Sequence, residues 1–193
     1  MKYGELNLGQ IEAIVNKLGG MEGVQRFLAG NSEVVEKNLA ISEVFRLTVD
    51  YGKSFEQMIA AGDYDWKNDD ITAKRFPIEG EGIAEFEARY FHSNRNISSE
   101  DAVKEIESAD AENPWMPAKI EHVLSHGATF PEEQRKFPII GLGSVAGVVG
   151  SRSVPCLFGD GSERRLDLGW WRSGCGVWGS RFRSLAVRKV SVP

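Results

Sequence analysis

Residues 141–193 read GLGSVAGVVGSRSVPCLFGDGSERRLDLGWWRSGCGVWGSRFRSLAVRKVSVP, and their composition differs from that of the preceding chain. Gly, Ser, Val and Arg dominate this stretch, whereas Asn, Thr, Ile, Met, His, Gln and Tyr are absent from it. Each absent type has codons with adenine at the first or second position, while residues 1–140 are ordinary in Asn, Ile and Lys. The bias is therefore local, as expected if adenines in this part of the gene had been replaced.

The same stretch predicts short strands joined by glycine-rich turns. Gly159-Asp-Gly-Ser162 has the composition of a hairpin turn between two strands. The strands predicted around it are Pro138–Val145, Ser153–Phe158, Arg164–Leu168 and Phe182–Val187. An antiparallel, β-rich C-terminal part follows from this pattern.

The chain before residue 137 mixes helices with longer strands. Residues 1–35 predict a helical hairpin, because a capping box at Asn7–Gln10 opens one amphipathic helix and a second spans Glu22–Leu28. Alternating apolar residues predict strands at Glu43–Asp50 and Gly82–Ser93. Helices are predicted at Ser54–Ala61, at Ser98–Ser108 with Ser98 as cap, and at Pro117–His126 with Gly127 as its stop. The fold class is therefore α+β, with a second domain at 36–193.

Composition and charge narrow the classes of function. The 193 residues carry a net charge of −5, without a run near the roughly 18 apolar residues of a membrane span. The opening MKYGELNLGQ lacks an apolar signal core, which predicts a cytoplasmic protein with no membrane partner. The helical hairpin predicted at residues 1–35 has only Lys2, Lys17 and Arg26 as cations, which are too few for a nucleic-acid interface. Residues 141–193 carry 8 Lys/Arg and 3 Asp/Glu, a basic balance suited to an anionic ligand or to pairing with the acidic remainder.

Candidate metal ligands are sparse, and no metal or cofactor is predicted. Gly62–Asp70 is rich in oxygen ligands, but Lys67 and Asn68 stand where an EF-hand loop needs an oxygen ligand and glycine, so a solvated loop anchored by Tyr64 and Trp66 is favoured. His122 and His126 have the i, i+4 spacing of zinc ligands. Two ligands do not complete a zinc site, so a solvent-facing pair is expected. The two cysteines are expected to be free thiols.

The C-terminal half resembles a known fold. Trp115-Met-Pro-Ala-Lys-Ile-Glu-His-Val-Leu124 resembles the motif that opens a helix in bacterial C-type-lectin-fold domains, the group that includes formylglycine-generating-enzyme-like domains. Leu166–Trp171 and Arg181–Arg188 are similar in order to the later strands of that fold, and the resemblance covers residues 115–190. Ala118 and Arg181 depart from the threonine and glycine of the family pattern.

Variable proteins of diversity-generating retroelements use this fold, and in them an error-prone reverse transcriptase replaces adenines in a C-terminal segment, here about 141–185. The resemblance implies a non-catalytic protein that binds an unknown ligand, a protein or other macromolecule, on a diversified surface. Fixed tryptophans would form the framework, at least two among Trp170, Trp171 and Trp178. The implied ligand-binding residues are Gly147, Val148, Ser151, Arg152 and Ser153 on one loop, Cys156 and Phe158 on the adjoining strand, and Arg172, Ser173, Cys175, Val177 and Ser180 on the last loop.

Two other classes remain open. A structural or assembly protein of a phage or mobile element would use the N-terminal hairpin to form a homo-oligomer. A formylglycine-generating-type enzyme would draw on Cys156 and Cys175, but the close cysteine pair of that family is missing and neither cysteine lies in a nucleophile motif. The sequence also lacks a Ser-His-Asp order, a P-loop and a dinucleotide fingerprint. No catalytic residue is therefore predicted.

Overall fold

The structure, a computed structural model, describes residues 8–18, 20–29, 44–93, 95–171 and 178–190. The chain forms two compact units, residues 1–37 and residues 38–193. Helices α1 (Leu8–Lys17) and α2 (Gly20–Leu28) lie in the first unit and pack against each other, as predicted. None of the helices in the described ranges has both the length and the apolar composition needed to cross a membrane.

The described part of the second unit contains four helices and nine strands, which confirms the mixed α+β class. In chain order these elements are β1 (Phe45–Asp50), α3 (Phe55–Ala61), β2 (Trp66–Lys67), β3 (Ile83–Phe91), α4 (Ser99–Ser108), β4 (Met116–Pro117), α5 (Ile120–Thr129), α6 (Glu133–Lys136), β5 (Ile139–Ile140), β6 (Ala146–Val148), β7 (Ser151–Gly159), β8 (Arg164–Trp170) and β9 (Arg183–Lys189).

The nine strands form one sheet in the order β1-β3-β9-β5-β7-β8-β2, with β4 paired to β9 and β6 paired to β7. The pairs are antiparallel except those of β5 with β9 and of β2 with β8. The last described strand, β9, therefore lies between β3 and β5 in the middle of the sheet. Helices α4 and α5 both come between β3 and β5 in the sequence.

Apolar side chains cover both faces of this sheet. In β9, Leu185 and Val187 belong to one buried cluster together with Leu124 of α5, whereas Ala186 belongs to a second cluster together with Ile106 of α4. Successive strand residues point to opposite faces, so the two clusters lie on opposite faces of the sheet. Helix α5 thus packs on one face and α4 on the other.

Alternation of apolar and polar residues predicted β1 and β3 correctly. Leu47 and Val49 of β1 are buried, as are Phe86, Ala88 and Tyr90 of β3, while the residues between them are more exposed. The two strands pair antiparallel along the whole of β1. Their polar residues therefore share the outer face of this end of the sheet.

Two predicted helix starts are confirmed by their caps. The Ser98 hydroxyl accepts a hydrogen bond from the Asp101 backbone N–H at 3.1 Å and caps α4. The Ser54 hydroxyl accepts from the Gln57 N–H at 3.2 Å, and the Gln57 side-chain oxygen accepts from the Ser54 N–H at 2.8 Å. Each arrangement satisfies backbone donors that the first helical turn leaves free.

The predicted strand Pro138–Val145 is wrong in length, since β5 has only two residues. After β5 the chain turns beneath the start of α5, where a side chain on Gly143 would lie 2.3 Å from the Pro117 carbonyl oxygen. The Gly143 N–H donates to the Ala118 oxygen at 2.9 Å. Glycine at this position allows the close approach that ends the strand.

The prediction for α5 is wrong at both ends. Met116–Pro117 forms the short strand β4 against β9, so the helix begins at Ile120. It continues through Gly127 to Thr129, so Gly127 does not stop it. A Cβ on Gly127 would lie 2.0 Å from the Tyr64 hydroxyl oxygen, and this glycine therefore makes room for the Tyr64 ring.

The loop from Gly62 to Asp70 is held by Arg164, a buried residue at the start of β8. Its guanidinium donates to the Gly62 oxygen and to the Gly127 oxygen, each at 2.7 Å. Tyr64 is half-buried against the core, as predicted, whereas the Trp66 side chain is exposed and Trp66 is held through the pairing of β2 with β8. Arg164 joins this loop to α5 and β8.

Candidate functional site

The β6–β7 hairpin carries the first group of predicted ligand-binding residues. Its turn consists of Val149 at φ 47° and Gly150 at φ 75°, so both central residues have the positive φ of a type I′ turn. The side chains of Val149, Ser151 and Arg152 are exposed, and Val149 reaches 93 % exposure. Gly147 is exposed and Val148 half-buried. The hairpin end therefore offers a continuous accessible surface that the core does not require.

Arg152 and Trp171 connect this hairpin to the end of β8. The Arg152 guanidinium carbon lies 4.5 Å from the centroid of the Trp171 ring, a cation–π distance. The backbone N–H of Trp171 donates to the Arg152 carbonyl oxygen at 2.8 Å. The hairpin and the segment that follows β8 therefore lie side by side.

Glu100 of α4 holds the Trp171 ring from the other side. Its carboxylate Oε1 accepts from the indole Nε1 of Trp171 at 2.7 Å. This hydrogen bond, together with the weaker field of Arg152, lowers the pKa of Glu100 below its ordinary value. Glu100, Arg152 and Trp171 thus form one connected group, called here the Trp171 anchor. Sequence analysis missed Glu100, because 71 positions separate it from Trp171 and neither residue lies in a sequence motif that would indicate the contact.

The three C-terminal tryptophans have different environments. Trp178 is 3 % exposed and its indole N–H donates to Ser99 Oγ at 2.9 Å, so it belongs to the framework as predicted. Trp171 is half-buried against the cluster that includes Trp178. Trp170 is 64 % exposed, so it adds a large aromatic surface next to the hairpin. The fixed aromatic area therefore includes both core and accessible surface.

Ser153 and Cys156 were expected on the ligand-binding surface, and this expectation is wrong. Ser153 is 2 % exposed and Cys156 is fully buried. Each is flanked by strands on both sides, since Ser153 pairs with Ala146 and Trp170, and Cys156 pairs with Ile140 and Asp167. Strand β7 lies in the sheet interior and is covered on both faces, so neither side chain reaches solvent.

Burial also decides the chemistry of Cys156. It raises the pKa of the thiol well above its ordinary value, and the nearby Asp167 charge raises it further. Because the thiolate is the reactive form, this buried thiol is unreactive. Cys156 is a free cysteine, as predicted, and it packs as a small apolar residue.

The remaining predicted residues divide between core, surface and undescribed positions. Phe158 is half-buried, with its ring centroid 6.2 Å from that of Phe182 in an edge-on contact. Ser180 is exposed, and its carbonyl oxygen is the hydrogen-bond partner of His92 Nε2. The other predicted residues lie outside the described part of the chain: Arg172, Ser173, Cys175 and Val177.

His122 and His126 were expected to face solvent, but both are buried in α5. His126 Nε2 lies 2.6 Å from the Tyr90 hydroxyl, and the His122 ring centroid lies 4.6 Å from that of Phe86. Burial lowers the pKa of each histidine to about 3, so both are neutral near pH 7. They are core residues, and α5 is buried on nearly every side.

Within the described ranges no group of three or more His, Cys, Asp or Glu residues could hold a metal ion. The buried histidines of α5 and the carboxylates of the Gly62–Asp70 loop therefore belong to no metal cluster among these residues. The accessible residues at the hairpin and the Trp171 anchor supply apolar, aromatic and guanidinium groups. Such groups can recognise a surface through packing and hydrogen bonds.

Comparison of the chain with models of known protein families, with curated proteins and with solved structures finds no match in any of the three.

Proposed function

We propose that the chain is a non-catalytic ligand-binding protein with a C-type-lectin-like fold, whose C-terminal surface is diversified by adenine-directed mutagenesis, as in variable proteins of diversity-generating retroelements. The observation that supports this proposal most directly is the location of the biased residues. Val149, Ser151 and Arg152 are exposed at one hairpin, while Leu157 and Leu166 of the same segment are buried. Substitution at the exposed positions leaves the core intact.

The strand arrangement is compatible with this fold. The closing strand β9 pairs with the early long strand β3, and the two helices α4 and α5 lie between β3 and β5 in the sequence. Strands β7 and β8 then form an antiparallel hairpin that leads to the end of the sheet. A fixed sheet of this kind can present variable loops without changing its own packing.

The turn residue Val149 supports the codon argument independently. A β-branched residue at positive φ is a conformational outlier, and Asn-Gly is the preferred pair at the centre of a type I′ turn. The asparagine codon AAC becomes the valine codon GTC when both adenines are replaced. Val149-Gly150 therefore has the backbone of an Asn-Gly turn and the side chain that adenine replacement would leave there.

The accessible chemistry favours a macromolecular ligand. Val149 and Trp170 expose large apolar surfaces, and Arg152 lies between them in the sequence with its guanidinium stacked on Trp171. Aromatic and arginine side chains contribute strongly to protein interfaces. An enzymatic role for Cys156 has no support, because its thiol is buried and protonated.

The genetic part of the proposal is tested by sequencing the DNA beside the gene. We expect a near-identical repeat of the segment for residues 141–185 that differs at adenines, next to a reverse-transcriptase gene. Expression of that transcriptase should then generate substitutions in the segment during passage of the cells. Flanking DNA without such a repeat would contradict the proposal.

The protein part is tested with two matched libraries. One randomises Val148, Val149, Ser151 and Arg152, and the other randomises the buried neighbours Val154, Cys156 and Leu157 of β7. Protease resistance of the displayed proteins measures folding. Most members of the surface library should remain folded and most members of the buried library should not. Equal loss in both libraries would show that the hairpin residues are structural.

A further inference from the structure

Among the described strands, β1 lies at one end of the strand order and pairs on one side, against β3. The Tyr51 N–H donates to the Gly82 oxygen at 2.8 Å. In an antiparallel pair, alternate residues direct their backbone groups toward the partner strand, so this bond shows which residues of β1 do so. Val49 and Leu47 direct their backbone groups toward β3. Arg46, Thr48 and Asp50 direct their backbone N–H and C=O groups away from β3, toward the open side.

The described residues provide little to satisfy these outward groups. The Asp50 oxygen accepts a turn hydrogen bond from the Lys53 N–H at 3.3 Å, and no described strand pairs with the open side of β1. A cavity of about 280 Å³ borders Thr48 and Asp50 there. Its other wall includes Ser125, Ala128 and Thr129 of α5, whose small side chains leave room beside the strand. Among the described residues, this side of β1 is therefore not covered by another strand.

The sequence of β1 is complementary to itself in one antiparallel register. When two copies pair about Thr48, Arg46 of each copy lies opposite Asp50 of the other, and Thr48 lies opposite Thr48. Opposite charges at directly facing positions stabilise a sheet. Leu47 lies opposite Val49 on the core side, so the apolar faces of the two sheets also continue across the pair.

The competing registers are less favourable. A register centred on Arg46 or Asp50 places like charges opposite each other, which is destabilising. A register centred on Leu47 or Val49 keeps the hydrogen bonds but does not place Arg46 opposite Asp50, so the charge pairing is lost. A register shifted by one residue pairs outward-directed groups with inward-directed ones, so the hydrogen bonds are lost. Charged residues on an edge strand also discourage pairing with unrelated strands. Self-pairing about Thr48 is the arrangement that satisfies hydrogen bonding and charge together.

We propose that β1 is a self-association surface through which two copies of this chain join their sheets by antiparallel β1–β1 pairing centred on Thr48. The outward backbone groups of Thr48 pair with those of the other copy's Thr48, the outward groups of Arg46 pair with those of Asp50, and the Arg46–Asp50 charges fix the register. Within one copy Arg46 is exposed and forms a surface ion pair with Glu87 at 3.7 Å, so pairing with the second copy requires its guanidinium to bridge Glu87 and Asp50. This proposal does not depend on the function proposed for the C-terminal surface.

The test is sedimentation equilibrium of the full chain, with charge variants that distinguish this interface from any other. In a dimer of Arg46→Asp, an aspartate at position 46 faces Asp50 of the other copy at both ends of the strand pair. In a dimer of Asp50→Arg, an arginine at position 50 faces Arg46 of the other copy. Each single variant should weaken self-association about tenfold or more. An equimolar mixture of the two variants should form a heterodimer, because both facing pairs are then complementary.

Thr48→Pro is a second probe, since proline removes an outward N–H and is tolerated on an edge strand. It should abolish the dimer while circular dichroism shows a folded chain. A wild-type chain that stays monomeric at its highest soluble concentration would overturn the proposal and leave the edge to a strand of another protein. A dimer unaffected by the single charge variants, or a mixture that fails to form the heterodimer, would also overturn it.

Discussion

The indole nitrogen of Trp171 donates to Glu100 Oε1 at 2.7 Å and so ties the end of β8 to the first turn of α4. Glu100→Ala leaves the half-buried indole N–H without this acceptor, and we expect the free energy of unfolding to fall. Glu100→Gln keeps an acceptor and should lose less. Urea denaturation measures both values. Glu105→Ala, which removes an exposed ion pair with Arg95, is the control and should change stability less than Glu100→Ala does.

Val149→Asn should stabilise the protein. Asparagine adopts positive φ more readily than a β-branched residue, so the substitution relieves strain at the hairpin turn and should add about 1 kcal/mol. Thermal and urea denaturation measure the change. Val148→Asn, on the neighbouring strand residue, should give no such gain. A Val149→Asn protein less stable than wild type would show that the turn is not strained.

Stability should fall as the solution becomes acidic, through His122 and His126. Burial lowers their folded pKa to about 3, below the unfolded value near 6.5, so the unfolded chain binds more protons between these values. Lys119 lowers the pKa of His122 further, and Tyr90 is the hydrogen-bond partner of His126. The free energy of unfolding should therefore decrease as pH drops from about 6.5 toward 3.

A variant separates this effect from that of the carboxylates. Each buried histidine contributes a slope of up to about 1.4 kcal/mol per pH unit in this window. His122→Leu should remove one such contribution, and urea denaturation at several pH values measures the difference in slope from wild type. Equal slopes in the two proteins would mean that His122 gains its proton without unfolding.

Arg164 should be among the least replaceable residues of the described chain. Arg164→Met leaves the buried carbonyl oxygens of Gly62 and Gly127 without their donor, and we expect a loss of about 3 kcal/mol or more. Urea denaturation measures it. Arg165→Ala is the matched control, because this exposed neighbour pairs with Glu163 at the surface, and it should cost far less stability than Arg164→Met does. Similar losses in the two variants would contradict the assignment.

The elements that sequence analysis predicted well have one buried face. In β1 and β3, buried residues such as Leu47 and Phe86 alternate with exposed ones, and in α3 and α4 a serine cap marks the start. These signals are local, since they depend on neighbours within a few positions. They were therefore readable without knowledge of the sheet order.

The errors arose where tertiary packing covers an element on both sides. Cys156 lies in a strand with both faces buried, and His126 lies in a helix that is buried nearly all round, so polarity no longer indicates exposure. The Trp171–Glu100 contact and the Gly127–Tyr64 contact join residues far apart in sequence. No periodic pattern marks such contacts before the fold is known.

The position of β9 has a consequence for how the protein is made. Because residues 183–189 fill the gap between β3 and β5, the sheet cannot close until these residues have left the ribosome. A product truncated by a premature stop or a frameshift in the preceding segment lacks this strand and exposes unpaired backbone on two neighbours. Proteolysis should clear such products, so only genes with a reading frame intact through residues 183–189 would yield lasting protein.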